Sequence, residues 1–193
     1  MNKNRLEAFS DGVIAIIITI MVLEIKVPHG EQFADLLPLW PIFLSYILSF
    51  VNVGIYWNNH HHLLHATKHV NGNILWANLN LLFWLSLMPF ATAWVGENHF
   101  AATPMALYAA DLCMCAISYI FLQARIIKAH GMDSLLSQAV GHDLKGKISL
   151  GCYVLAIPLA LSGLPTVAGL LIFAVACIWL IPDRRIEKKI APE

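Results

Sequence analysis

The sequence predicts an all-α integral membrane protein: six transmembrane helices in a single domain spanning residues 1–193, with one copy of the six-helix unit per chain. Three observations carry this. Hydrophobic residues make up 59% of the chain and charged residues 12%, about half the charged share of a soluble domain. Mean hydropathy is +0.67. The apolar residues also gather into stretches near the length of roughly 20 residues that a helix needs to cross a bilayer.

The first stretch is about 9–27 and ends at Pro28. Lys3, Arg5 and the apolar run after them have the look of a signal peptide, but Glu7 and Asp11 interrupt the pattern and no small-residue cleavage site follows, so a retained helix is expected. The second stretch, about 38–64, carries Pro38 and Pro41 at its beginning, where proline suits a helix start. The third is about 74–95 and the fourth about 104–127. The fifth, 148–164, and the sixth, 166–181, are separated only by Pro165 and predict a tight helical hairpin closed by Pro182. No internal repeat, linker or low-complexity tract is visible.

An even number of spans puts both termini on one side. With six, Lys3, Arg5, Lys68, Arg125, Lys128, Lys145, Lys147, Arg184, Arg185, Lys188 and Lys189 share that side, and Lys26 is the one cation of the 12 on the other. The positive-inside rule then makes both termini cytoplasmic. A formal net charge of zero gives no basic character that would point to nucleic acid. Cys113, Cys115, Cys152 and Cys177 all lie in apolar runs without CxxC spacing, so they read as small buried hydrophobes.

The first helix is the most informative segment. At 100° per residue, Ile16, Ile20 and Leu23 fall within about 60° of one another, with Thr19 beside them, and Asp11 lies about 140° from Ile16. One face is thus an apolar stripe with a single hydroxyl at its edge, compatible with packing, lipid contact or a pore lining. The other carries an acid that needs partners at membrane depth, for which Ser10 and Arg5 are near in sequence.

Arg5-x-x-x-Phe9-Ser10-Asp11, followed by Gly12-Val13-x-Ala15-Ile16 and Leu23-Glu24-Ile25-Lys26-Val27-Pro28, resembles the prokaryotic branch of the transmembrane protein 175 potassium channel family over about 24 residues. Tyr56-Trp57-x-x-His60, Trp76-x-Asn78-x-Asn80-Leu81 and Pro89-Phe90 are more loosely similar to that family's second and third helices. The resemblance implies a homotetramer in the cell membrane of a bacterium or archaeon, with potassium as the permeant ion, no cofactor and no enzymatic activity. It implies a pore lined by the first helix of each copy, with Ile16, Ile20 and Leu23 as the constriction and Thr19 as a hydroxyl layer. It also implies a packing network around Arg5, Phe9, Ser10 and Asp11, with His60 or His61 and Asn80 as partners; three consecutive histidines leave the choice between the two open.

The chain has no TVGYG-type carbonyl filter. A ring of Ile16 side chains would instead form an apolar neck, which gates by dewetting. Potassium holds its water less tightly than sodium, so moderate preference for potassium is expected. No arginine-rich helix of the voltage-sensor type is present, so little voltage dependence is expected.

His61, His65 and His69 recur at i, i+4, i+8 and would share one helix face, as a zinc or copper site or a pH sensor would need; amphipathic rings at a helix end are the plainer reading. His29, His99, His130 and His142 read as scattered loop residues. Asp111, mid-way along the fourth helix, reads as a relay or as an acceptor for a neighbouring helix. Glu24 and Glu97 would give the outer mouth a weak negative field. The rival classes are a small secondary transporter, which often shows internal repeats, and a histidine-cluster metal-binding membrane protein.

Overall fold

The computed structural model describes residues 3–131 and 143–180, and among them all regular structure is helical. The elements are α1 (Lys3–Leu23), a 3-10 helix (Phe33–Leu39), α2 (Trp40–His65), α3 (Gly72–Leu85), α4 (Met88–Glu97), α5 (Ala102–His130), α6 (Leu144–Leu161) and α7 (Pro165–Leu180). Ile181, Pro182, His142 and the cations from Arg184 onward lie outside the described residues.

The proline and capping signals explain most boundaries. Pro41 sits in the first turn of α2, where a missing N–H costs nothing. The Asn71 side chain accepts from the Ile74 N–H at 3.0 Å and starts α3. The expected helix 74–95 is two pieces, α3 and α4, broken at Ser86 and Leu87 because Pro89 has no N–H to continue the ladder. Backbone bonds from Ser86 to Leu82 (2.9 Å) and from Leu87 to Trp84 (3.0 Å) keep the pieces in line. Gly72–Glu97 therefore still makes one apolar stretch of 26 residues. Among the described residues five such stretches are long and apolar enough to cross a membrane, and α7, with 16 residues, is a shorter apolar helix.

Helix α5 organises the packing, touching α3, α4, α6 and α7, while α1 lies against α2, α3 and α4. Leu81, Leu85, Met88, Leu112, Leu122 and Ile126 are fully enclosed in the core. Where α6 and α7 pack, small residues dominate: Ala156, Ala160 and Ala168 are completely buried, which lets helix backbones approach closely. Outward, Phe33, Trp76, Leu170 and Phe173 are exposed. Apolar residues on both sides of the helices are the pattern of a bundle whose solvent is hydrocarbon.

Candidate functional site on the first helix

Two faces of α1 do different things. Leu6, Ser10, Ile14, Ile17 and Met21 recur every three or four residues and are buried against the protomer. On the other side, Ile16 is 58% exposed, Ile20 41% and Leu23 78%. Thr19 shares this side, and its hydroxyl donates back to the Ile16 carbonyl at 2.8 Å, with the Ala15 carbonyl at 3.1 Å. That spends the hydroxyl proton within the helix, so the exposed oxygen offers lone pairs only. An open cleft of about 470 Å³ runs beside the stripe, between Val13, Ile17 and Ile20 of α1 and Pro89, Phe90 and Ala93 of α4.

The buried face is held by a chain of hydrogen bonds across three helices. The Ser10 hydroxyl donates to the Leu6 carbonyl at 2.9 Å and accepts from Asn78 Nδ2 at 3.0 Å. Asn78 Oδ1 lies 2.7 Å from His60 Nε2. An amide oxygen only accepts, so Nε2 carries the proton and His60 Nδ1, buried with no partner among the described residues, is the bare nitrogen. Beside this chain, Asp11 Oδ1 accepts from Trp57 Nε1 at 3.0 Å, and His61 Nδ1 lies 3.1 Å from Glu7 Oε1.

Several expected placements differ. Asn80 donates to Ser118 on α5 at 2.7 Å; two residues along a helix is a turn of about 200°, which points it away from α1 and leaves Asn78 to reach Ser10. Of the two histidines left open, His60 is buried beside Ser10's partner, while His61 is exposed and meets Glu7. Phe9, expected in the packing network, is 52% exposed and, seven residues before Ile16, lies on the stripe side. Arg5 is exposed, with no side-chain partner among the described residues.

The histidine run also divides. Helix α2 ends at His65, so His69 leaves the face shared by His61 and His65. Among the described residues no group of three or more His, Cys, Asp or Glu is placed to hold a metal ion. His69 stacks instead on His130, with ring centroids 6.4 Å apart. His130 is not a loop residue but the last residue of α5. Its Nε2 accepts the backbone N–H groups of Lys68 (3.0 Å) and His69 (3.1 Å), and its Nδ1–H donates to the Ile126 carbonyl at 2.8 Å. Two backbone donors beside a helix C-terminal histidine leave no mark in a sequence. At the opposite end, Lys26 pairs with Glu97, so Glu97 is not a free negative charge. That contact raises the Lys26 pKa above the ordinary lysine value.

A bundle of apolar helices, with one helix locked inward by polar contacts and presenting Phe9, Ile16, Thr19, Ile20 and Leu23 outward, defines an integral membrane protein whose first helix offers an unpaired face. A profile of the family described as "Endosomal/lysosomal potassium channel TMEM175" matches residues 5–89. A potassium channel of Chryseobacterium sp. (strain P1-3) is 57% identical over 190 residues, 98% of each chain. The human "Endosomal/lysosomal proton channel TMEM175" is 33% identical over 92% of this chain and 36% of its own length. The crystal structure of a lysosomal potassium-selective channel TMEM175 homolog from Chamaesiphon minutus superposes with a TM-score of 0.79 at 28% identity, covering 94% of this chain and 97% of that one. The chain belongs to the TMEM175 family.

Proposed function

We propose that this chain is the subunit of a potassium-selective channel in which four copies place their first helices around a shared axis, with Ile16 as the narrowest ring and Thr19, Ile20 and Leu23 lining the passage beside it. The observation that carries the reading is the asymmetry of α1: Ser10 is completely buried and bonded to Asn78, whereas Ile16 is 58% exposed. Family membership and the potassium-channel names of the bacterial relatives support it.

The physics follows from the side chains. Four isoleucines around an axis make a neck that offers an ion no oxygen ligands, so passage is set by how much water the ion surrenders. Potassium, with its looser hydration, crosses more readily than sodium, and the preference is moderate. The Thr19 oxygens, stripped of donor function, face the ion next to that neck. Both termini lie in the cytoplasm of a bacterial or archaeal cell, as the distribution of lysine and arginine favours. The protein works without a cofactor or enzymatic step.

The test is purified protein reconstituted into liposomes under a potassium/sodium gradient, wild type beside Ile16→Asn. Wild type should give a reversal potential on the potassium side with little voltage dependence, and Ile16→Asn should move it toward zero. Unchanged selectivity removes Ile16 from the constriction. Unitary current steps exclude a carrier, and stoichiometric bound metal would favour the metal-binding class.

A further inference from the structure

At the end of the bundle where α5 stops and α6 begins, side chains of α2, α5, α6 and α7 line a cavity of about 40 Å³. At about 10–15 Å³ of such volume for each water-sized group, that is room for a guest of about three heavy atoms. No residue of α1 lines it, so it lies apart from the exposed stripe. Its walls are aromatic, with one ring from each of the four helices: Tyr56, Tyr119, Tyr153 and Trp179. Tyr56 and Tyr119 meet edge to face, their ring centroids 6.2 Å apart and their planes 67° apart. Among the described residues the one charged member of the lining is Asp143, just ahead of α6. Gly146 keeps that end open, because a Cβ there would run into the Asp143 carboxylate.

Donor counting shows that the lining has acceptors to spare. Asn52 is 2% exposed, and its Nδ2 is already used. It donates to the Leu48 carbonyl at 3.0 Å and reaches Tyr108 OH at 3.4 Å. Tyr108 is itself the end of a buried seam, with Ser49 Oγ at 2.9 Å and Thr92 Oγ1 a further 2.7 Å on. Asn52 Oδ1 has no partner among the described residues. Tyr119 donates its proton to the Asn59 carbonyl at 3.2 Å. Ser149 donates to the Lys145 carbonyl at 2.8 Å and accepts from Trp179 Nε1 at 2.7 Å. Both hydroxyl oxygens are left with lone pairs alone. Asp143 accepts the Gly146 N–H at 3.1 Å and, as a carboxylate, has further acceptor capacity. Tyr56 and Tyr153, the latter 4% exposed, make no hydrogen bond among the described residues. Their two protons are too few for the acceptors around them, and buried polar groups without partners are costly.

We propose that this cavity binds a small primary ammonium ion, of the size of methylammonium, inside each protomer and apart from any ion passage along α1. Three properties of the lining match that ligand. The N–H groups meet the spare lone pairs of Asn52, Tyr119, Ser149 and Asp143. The positive charge meets the Asp143 carboxylate and the negative faces of the surrounding rings, the arrangement by which aromatic cages hold ammonium groups. Trp179 already receives a cation in this way, with Lys145 Nζ 5.7 Å from its ring centroid. The methyl group meets Ile55, Ala116 and Ile120, the aliphatic part of the lining. A dehydrated potassium ion fits less well, since it brings no N–H donors and finds ring and methyl walls over much of its surface. Because the lining comes from α2, α5, α6 and α7, a bound ion ties the α6–α7 hairpin to the rest of the protomer and stabilises the fold by mass action.

The experiment uses the full chain in detergent and titrates methylammonium chloride against sodium chloride at constant ionic strength, following the thermal midpoint and tryptophan fluorescence. Wild type should show a saturable rise in midpoint, half-complete in the millimolar range and no tighter than about 5 mM, the ceiling for two heavy atoms. Methanol, potassium chloride and tetramethylammonium chloride, which lack the charge, the N–H donors and both the donors and the small size, should give no such rise. Asp143→Asn keeps a side chain suited to start α6 and should weaken the half-point about tenfold. Ile16→Asn should leave it unchanged. The absence of a saturable rise, meaning that the cavity holds water only, overturns the proposal. So does an equal rise with potassium, or wild-type affinity in Asp143→Asn. A rise that is lost in Ile16→Asn and kept in Asp143→Asn places the ion beside α1 and also overturns it. If Asp143→Asn fails to fold, shown by aggregation in gel filtration, Ala116→Val decides. It fills the cavity from α5 with every polar group in place, so lost binding supports the site and retained binding refutes it.

Discussion

Asn78 joins three helices through one side chain: its amide NH₂ donates to Ser10 of α1 and its oxygen accepts from His60 of α2. Removing it strands the buried His60 Nε2–H and takes a donor from Ser10, whose own bond to the Leu6 carbonyl remains, and an unsatisfied buried polar group costs about 1–3 kcal/mol. Asn78→Ala should therefore destabilise the protein by about 2–5 kcal/mol, the lost bonds and the cavity together. Ser10→Ala, which strands only the Asn78 NH₂, should cost about 1–2 kcal/mol. Thermal unfolding in detergent measures both, and equal costs would show that the His60 bond contributes nothing. The same residue explains a limit of reading from sequence. Asn78 and Asn80 are indistinguishable by type, and both suit a network. Only the rotation of α3 against its neighbours decides that one meets α1 and the other Ser118.

At the scale of elements, two junctions determine how the helices meet. Gly163, between α6 and α7, has φ of 87°, a left-handed conformation that costs an L-residue roughly 1–2 kcal/mol. Gly163→Ala should lower stability by about that amount, read as a lower thermal midpoint, while replacing Gly54, which has open space around its Cα and lies inside α2, should not. The second junction ties the far end of α1 to α4 through Lys26 and Glu97, both at the surface. Because Glu97 raises the Lys26 pKa, the pair is complete below the ordinary lysine value and is lost as pH rises through the raised one. Thermal midpoints should thus be flat across neutral pH and fall in strong alkali, and Lys26→Met should abolish that alkaline component. These two junctions were unequally legible: the proline and glycine of the α6–α7 hairpin are plain in the sequence, whereas the partner of Lys26, 71 residues away, is not.

For the whole molecule, the unpaired face of α1 has a consequence beyond one chain. A row of exposed isoleucine and leucine would be at home in lipid, but a polar threonine edge and the adjoining cleft make a second copy the better neighbour. Native mass spectrometry from mild detergent should show four copies, the closed ring expected if α1 of each copy meets a different face of its neighbour by a rotation that closes. A monomer that conducts would refute the shared axis. The remaining surface is that of a protein dissolved in hydrocarbon, with Phe33, Trp76 and Phe173 outward and alanines inward where α6 meets α7.

Composition and periodicity were enough to establish the membrane class, the apolar helices and the outward stripe of α1, because burial in lipid depends on local runs of about 20 residues and helix faces repeat every 3.6. Tertiary structure alone decided the break before Pro89, the separation of His69 from His61 and His65, the pairing of Lys26 with Glu97, and the seam that puts Thr92, Ser49 and Tyr108 in line. Those depend on the rotation and depth of one helix against another. The residues that meet are 43 to 71 positions apart, and neither of two partners carries the other's address.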